Sequence, residues 1–448
     1  MKELNRRTWM HCKRLDLTGD DRREALSHRR LAADIVPALA PRHPSALGCV
    51  IAAVGLLGCS VGGASSGPIE LPKVDTIEAV AFQCRYGAED AALANSSSCP
   101  RAAGDYVPGT DAWPECISDS GTYQRIQATV SSIARIEQFE RIAALLFPGS
   151  TGRILAPEST DSVDGSEKAE VSGSVDGNVR PEIVLTTPDA SDFLTAREIY
   201  QTDEGLDSRV VRRYDPHFSV PEDTNCGSEG TPAAFPEYCV GPARLQPILL
   251  DAFGQGLAAN DDAETRVVSA ARIEAALLWF LYASVYKEVL TCTDKAQDCD
   301  SGYAYYAGGV DACDGSGLGR YIARSYPLAH QRAWEGILAV RCWRDLDSAP
   351  SATDLALRDR AAAQLDRAVL SGMAAIVRQR LEILRASSGL ARSAHQAFVS
   401  TLGPVLELGI RTRDAAAGTR YATLIASSLS NAEIDEAISI ITAQLPCP

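Results

Sequence analysis

The stretch DDAETRVVSAARIEAALLWFLYASVYKEVL, Asp261 to Leu290, decides how this chain folds. Acidic residues crowd its start, neither glycine nor proline interrupts it, and beyond Ile273 apolar residues occupy nearly every side. Acids at a first turn meet the positive end of the helix dipole, and an apolar surface all round marks a helix enclosed by others. Two carboxylates interrupt that apolar length. Glu274 and Glu288 are fourteen residues apart, close to four turns, and so share a face. A buried carboxylate needs an arginine, a hydrogen-bond network or a cation beside it.

The helical period recurs on both sides of this segment. Tyr123, Ile126, Val130, Ile133, Ile136, Phe139, Ile142 and Leu146 predict an amphipathic helix stopped by Pro148-Gly149. Ser191 to Arg213 reads as a helix weakened by Gly205, followed by a proline- and cysteine-containing loop to Pro242 and a helix over 244–257. Further helices are predicted at Pro327–Trp343, Thr353–Ala386, Leu390–Leu408 and Asn431–Leu445; Ser430 and Glu433 give the last a capping-box spacing. Alternating strand patterns are almost absent, and the best, Ile183-Val184-Leu185, is very short. The expectation is all-α: a single helical bundle domain with long disulfide-tied loops and one disordered insertion. Residues 76–155 form a loop-rich segment plus the first helix, 156–181 the insertion, and 182–448 the main bundle. The insertion, with its SVDGSEKAEVSGSVDG run, has too few large apolar residues to offset the entropy of ordering.

Near the start, Ala46 to Gly58 runs thirteen residues without a charge. That is short of the roughly 20 apolar residues of a membrane-spanning helix, but it suits the apolar core of a secretory signal flanked by Arg42. The run ends Leu56-Leu57-Gly58-Cys59, which resembles the lipobox of bacterial lipoproteins. The resemblance implies diacylation of Cys59, which becomes the new N-terminus, with 1–58 as leader and signal peptide. The small residues from Ser60 to Pro68 suit a flexible tether over 59–75. Asp16, Asp20, Asp21 and Glu24 do not suit a signal; a start at Val36 would leave 24 residues through Cys59 and place 1–35 outside the protein.

The chain carries a formal net charge of −15, and beyond Cys59 it holds 33 basic and 52 acidic residues, a net −19. Nucleic acid and anionic lipid demand a basic face, so neither is an expected partner. Ten cysteines follow Cys59, an even number without the close spacing of a zinc knuckle, as expected of disulfides in an oxidising compartment. Cys226 with Cys239 and Cys292 with Cys299 each close a short polar loop; Cys313 and Cys342 are further disulfide candidates.

Catalytic motifs are scarce. Beyond Cys59 there are three histidines, far apart in sequence, with no HExxH and no P-loop, and no nucleophile–base pair can be named. The acidic segment over 298–337 is the richest in polar side chains. Asp298, Asp300, Asp311 and Asp314 cluster with glycines and aromatics in a loop tied by cysteines, though without the alternating ligands of a calcium loop. Three motifs in this region, Tyr305-Tyr306-Ala307-Gly308, Asp314-Gly315-Ser316-Gly317 and Tyr326-Pro327-Leu328-Ala329-His330-Gln331-Arg332, resemble the low-iron-inducible periplasmic proteins of green algae and their bacterial relatives. The resemblance covers about forty residues and implies a secreted helical scaffold with a role in iron assimilation. Asp300-Ser301-Gly302 stands where that family has Trp-Asp-Glu, and Ala333 where it has a cysteine.

Two function classes follow. One is a lipid-anchored extracytoplasmic binding protein for a metal ion, iron or another hard cation, or for a cationic solute. Its ligands would be Glu288, Asp300, Asp311, Asp314, His330 and Glu335. The other is a non-enzymatic structural or interaction lipoprotein whose acidic helices dock on an envelope protein partner. Convergence of those side chains favours the first, and their dispersal the second. For either one, the resemblance to a lipobox implies a place at the outer membrane of a bacterial envelope. Replacing Cys59 with Ser is expected to move the protein from the membrane fraction to the soluble one; unchanged membrane retention would remove the anchor from the account.

Overall fold

The computed structural model describes residues 99–110, 113, 121–128, 130–151, 187–309 and 315–448. Contacts divide the chain into Met1–Lys73 and Val74–Pro448, and every described residue belongs to the second unit. The expectations for the leader, Cys59, the tether and the 156–181 insertion fall outside the described residues. Within them the protein is all-α, with eleven helices of eight or more residues and no strand. These are α1 (Ser131–Leu146), α2 (Ala190–Tyr200), α3 (Gln246–Ala258), α4 (Ala263–Thr291), α5 (Gln297–Ala307), α6 (Leu318–Ser325), α7 (Pro327–Leu346), α8 (Leu355–Ala386), α9 (Gly389–Leu402), α10 (Ala415–Ile425) and α11 (Asn431–Gln444).

Helix α4 is the axis of the bundle. Asp262 caps it, accepting from the amides of Glu264 and Thr265. Helices α3, α5, α8 and α9 pack around it. It is long and apolar enough to cross a membrane, yet most of its apolar window is buried inside the protein, as a core helix must be. The most extensive helix pair is α7 with α8. A Cβ on Gly336 would lie 2.6 Å from Leu365 Cα, so glycine is what lets these two backbones approach. Ser430 and Glu433 form the capping box of α11.

Four segments depart from the expected pattern. The first helix begins at Ser131 rather than near Tyr123, because the Asp300 carboxylate accepts the amides of Ile126 and Gln127 at 3.0 and 2.8 Å and competes with helical pairing. The predicted Ser191–Arg213 helix stops at Tyr200, Glu204 takes a φ of +57°, and the chain resumes as a single turn over Leu206–Val210. The predicted Leu390–Leu408 helix ends at Leu402, where Pro404 enters a tight turn over Gly403–Leu406. Residues Gln297–Ala307, expected as part of a cysteine-tied loop, form α5 instead. Its Gly302 backs onto α4, where a Cβ would lie 3.2 Å from Val289 Cγ2, and Tyr303, Tyr305 and Tyr306 are buried.

Disulfides fasten the loops and the end of the bundle. Cys226 is joined to Cys239 and Cys292 to Cys299. A third bond joins Cys99 to Cys447 across 348 residues, and Arg332 bridges the same region by donating to the carbonyls of Cys99 and Pro448. Cys342 is also disulfide-bonded, and Cys313 falls outside the described residues.

Candidate functional site

The residues proposed as cation ligands occupy separate environments. Glu288 accepts from Arg213 Nη1 at 3.0 Å and Lys287 Nζ at 3.1 Å. Burial pushes its pKa up, but those two cations outweigh it and hold the carboxyl below its ordinary value. Asp300 is fully buried and receives the Tyr123 hydroxyl at 3.0 Å besides the two amides that it draws out of α1. Glu335 takes a two-pronged contact from Arg101 at 2.7 and 3.2 Å. His330 lies beside the Tyr306 hydroxyl at 2.9 Å, and burial lowers its pKa to about 4, so the ring is neutral at pH 7. Asp311 and Asp314 fall outside the described residues.

Among the described residues, no group of three or more His, Cys, Asp or Glu side chains is placed to hold a metal ion. Glu288, Asp300, His330 and Glu335 do not form one ligand set, because arginines, amides and hydroxyls already satisfy them one by one. Glu274 follows the same rule, held by Arg380 at 2.5 Å and the Tyr321 hydroxyl at 3.0 Å.

A different constellation lines a cleft of about 350 Å³. Its central side chain is His217, carried by the loop that follows the Leu206–Val210 turn and pinned by the Asp215 amide, which donates to Tyr238 O at 2.7 Å. The two ring nitrogens meet two carboxylates: Nδ1 lies 2.6 Å from Asp215 Oδ1, and Nε2 lies 2.9 Å from Asp366 Oδ1 on α8. The ring stacks on Tyr286 with centroids 3.9 Å apart and on Tyr282 at 5.6 Å. Burial alone would lower the pKa of His217; the two carboxylates overcome it and raise the value to about 10. The ring is therefore held as the imidazolium at neutral pH, the form that lacks the free lone pair of a general base.

The rest of the cleft combines apolar walls with a charged rim. Trp279 and Tyr282 come from α4, Leu370 from α8, and Pro404 and Val405 from the tight turn after α9. Arg244 pairs with Glu237 at 2.7 Å and lies over the Trp279 ring, while Arg411 pairs with Glu407. Trp279 Nε1 is buried without a hydrogen-bond partner. The lining residues include no cysteine or serine. Such a cleft is equipped to hold and orient a molecule.

Sequence reasoning did not find this cleft. Asp215-Pro216-His217 is a local signal, but Asp366 lies 149 residues beyond His217, and the two meet only where the loop carrying His217 packs against α8. No protein-family model, curated protein or solved structure matches this chain.

A raised histidine pKa stabilises the fold fully below the unfolded value near 6.5, and the gain is lost as pH rises through the folded value. His217→Gln is therefore expected to cost about 2–4 kcal/mol in urea unfolding at pH 6. The gap from wild type should close on approaching and passing pH 10. A gap independent of pH would mean that the clasp is not ionic.

Proposed function

We propose that this chain is a lipid-anchored, extracytoplasmic helical binding protein of the bacterial envelope, tethered at Cys59, whose cleft receives a small amphipathic organic molecule. The observation that carries the reading is the cleft itself, where an apolar surface of Trp279, Tyr282, Leu370 and Val405 meets a rim of arginines and carboxylates. Its volume of about 350 Å³ lies in the range of small-molecule pockets. Disulfides at Cys99–Cys447, Cys226–Cys239 and Cys292–Cys299 support an oxidising compartment. The locked His217 supports binding over catalysis.

The iron or hard-cation reading keeps its support in the family resemblance and in Asp311 and Asp314. A structural or interaction lipoprotein is favoured by the dispersal of Glu288, Asp300, His330 and Glu335 onto separate partners.

Anilinonaphthalene sulfonate, an aromatic anion, is a direct probe of an apolar cleft rimmed by arginines. The wild type is expected to bind it saturably at one site. Thr412→Phe, at an exposed position on the rim, should weaken binding at least tenfold (about 1.4 kcal/mol) with little change in melting temperature. Absence of saturable binding, or equal binding by the variant, would count against the cleft as the ligand site.

A further inference from the structure

A second cavity, of about 440 Å³, opens where the N-terminus of α1 faces the end of α4 and the start of α5. In a chain with net charge −15, this pocket is locally cationic. Arg135, Arg209, Lys287 and Lys295 line it, together with the carboxylates of Glu288 and Asp298. Glu288 is already neutralised by Lys287 and by Arg213 behind it. Arg209 has Glu204 at 3.4 Å outside the lining, and Asp298 is then the one lining carboxylate set against Arg135 and Lys295.

Arg135 is the informative residue. It is only 3% exposed, yet it lines the cavity. Its Nη1 donates to Ser131 Oγ at 3.3 Å, and its other polar neighbour is Tyr305. Its Nε is buried without a partner, and among the described residues no carboxylate pairs with the guanidinium. Burial and the like charges of Arg209 and Arg213 depress its pKa. A buried cation without a counter-ion is costly. Arg244, Arg272, Arg320, Arg367, Arg380 and Arg420 have a carboxylate partner, and Arg324 and Arg344, which pair with none among the described residues, donate to backbone carbonyls instead.

The second feature is the end of α1, a helix of 16 residues. Val130 supplies no side-chain cap, and the first turn holds no acidic residue. The cavity wall there is Val130, Ser131 and Ser132, so the uncapped first turn of α1 and its serine hydroxyls border the same space as Arg135. Helix amides, serine hydroxyls and a guanidinium fork are together the donor set that suits a tetrahedral oxyanion.

We propose that this cavity binds a phosphoryl group, with Arg135 and the α1 N-terminus as its inner donors and Lys295, Lys287 and Arg209 around its mouth. The site is separate from the His217 cleft, since the two share no lining residue.

Thermal melts at low ionic strength test this with inorganic phosphate and glycerol phosphate as probes, each against sodium chloride at equal ionic strength. A saturable rise in melting temperature beyond the chloride control is expected with at least one probe. A stronger response to glycerol phosphate would identify a phosphomonoester site, and a stronger response to phosphate a free-ion site. Arg135→Met should abolish the rise, and Lys295→Gln should weaken apparent affinity at least threefold. Lys295 is exposed, so Lys295→Gln decides the matter if Arg135→Met does not fold. No rise over chloride with either probe would overturn the proposal, as would a rise that Lys295→Gln leaves unchanged.

Discussion

The bundle is organised around two carboxylates buried in one apolar helix, each held by an arginine from elsewhere in the chain. Glu274 and Glu288 lie four turns apart on α4; Arg380 of α8 reaches the first, and Arg213 of the 211–217 loop reaches the second. Neither arginine is merely a charge. Arg380 lies 4.1 Å from the Phe398 ring centroid, and Arg213 sits between Phe280 and Tyr305 at 5.3 and 5.5 Å. Each pair therefore fixes a register. Sliding α8 or the 211–217 loop along α4 would strand a buried charge, a larger penalty than losing an apolar contact.

That constraint also shapes what the protein can bind. An acidic chain with many buried carboxylates looks suited to cations, but arginines consume the buried acids first. Glu140 follows the rule with Arg320, and Glu335 with Arg101. What remains available is a cleft where apolar walls meet a locked imidazolium, and a pocket where Arg135 has no carboxylate. Both are positioned by α4: Trp279 and Tyr282 face the cleft near its middle, and Lys287 and Glu288 face the cationic pocket near its end. Anchoring the loop through Arg213 also sets Asp215 and His217, two and four residues further on, against α4 and α8.

Much of this fold was legible in the sequence, and the gaps have physical causes. The all-round apolar pattern of α4 marked it as the core helix, the capping box of α11 was visible at Ser430 and Glu433, and the short loops at 226–239 and 292–299 marked their disulfides. Helix α5 was not legible, because Asp300, Gly302 and its tyrosines suit a loop locally; their helical form follows from packing on α4 and from the amides that Asp300 collects. An arginine was one of three kinds of partner open to Glu274 and Glu288, beside a hydrogen-bond network and a cation, and which arginine reaches each was not legible. The Cys99–Cys447 bond and the Asp215–His217–Asp366 clasp were invisible for a common reason. Their members are brought together by the finished bundle, and no local pattern records that.

The most direct measurement is a double-mutant cycle on Arg213 and Glu288, read by urea unfolding at pH 7. If Glu288 is a structural counter-ion, Glu288→Gln leaves Arg213 buried without its carboxylate and should cost about 3–5 kcal/mol, whereas Arg213→Met leaves Glu288 with Lys287 and should cost less. The double variant should then cost less than the two single losses together, since the charges interact directly. A Glu288→Gln protein as stable as the wild type or more so would contradict this. It would mean that Glu288 is held under repulsion, as a ligand awaiting a cation would be, and not under attraction.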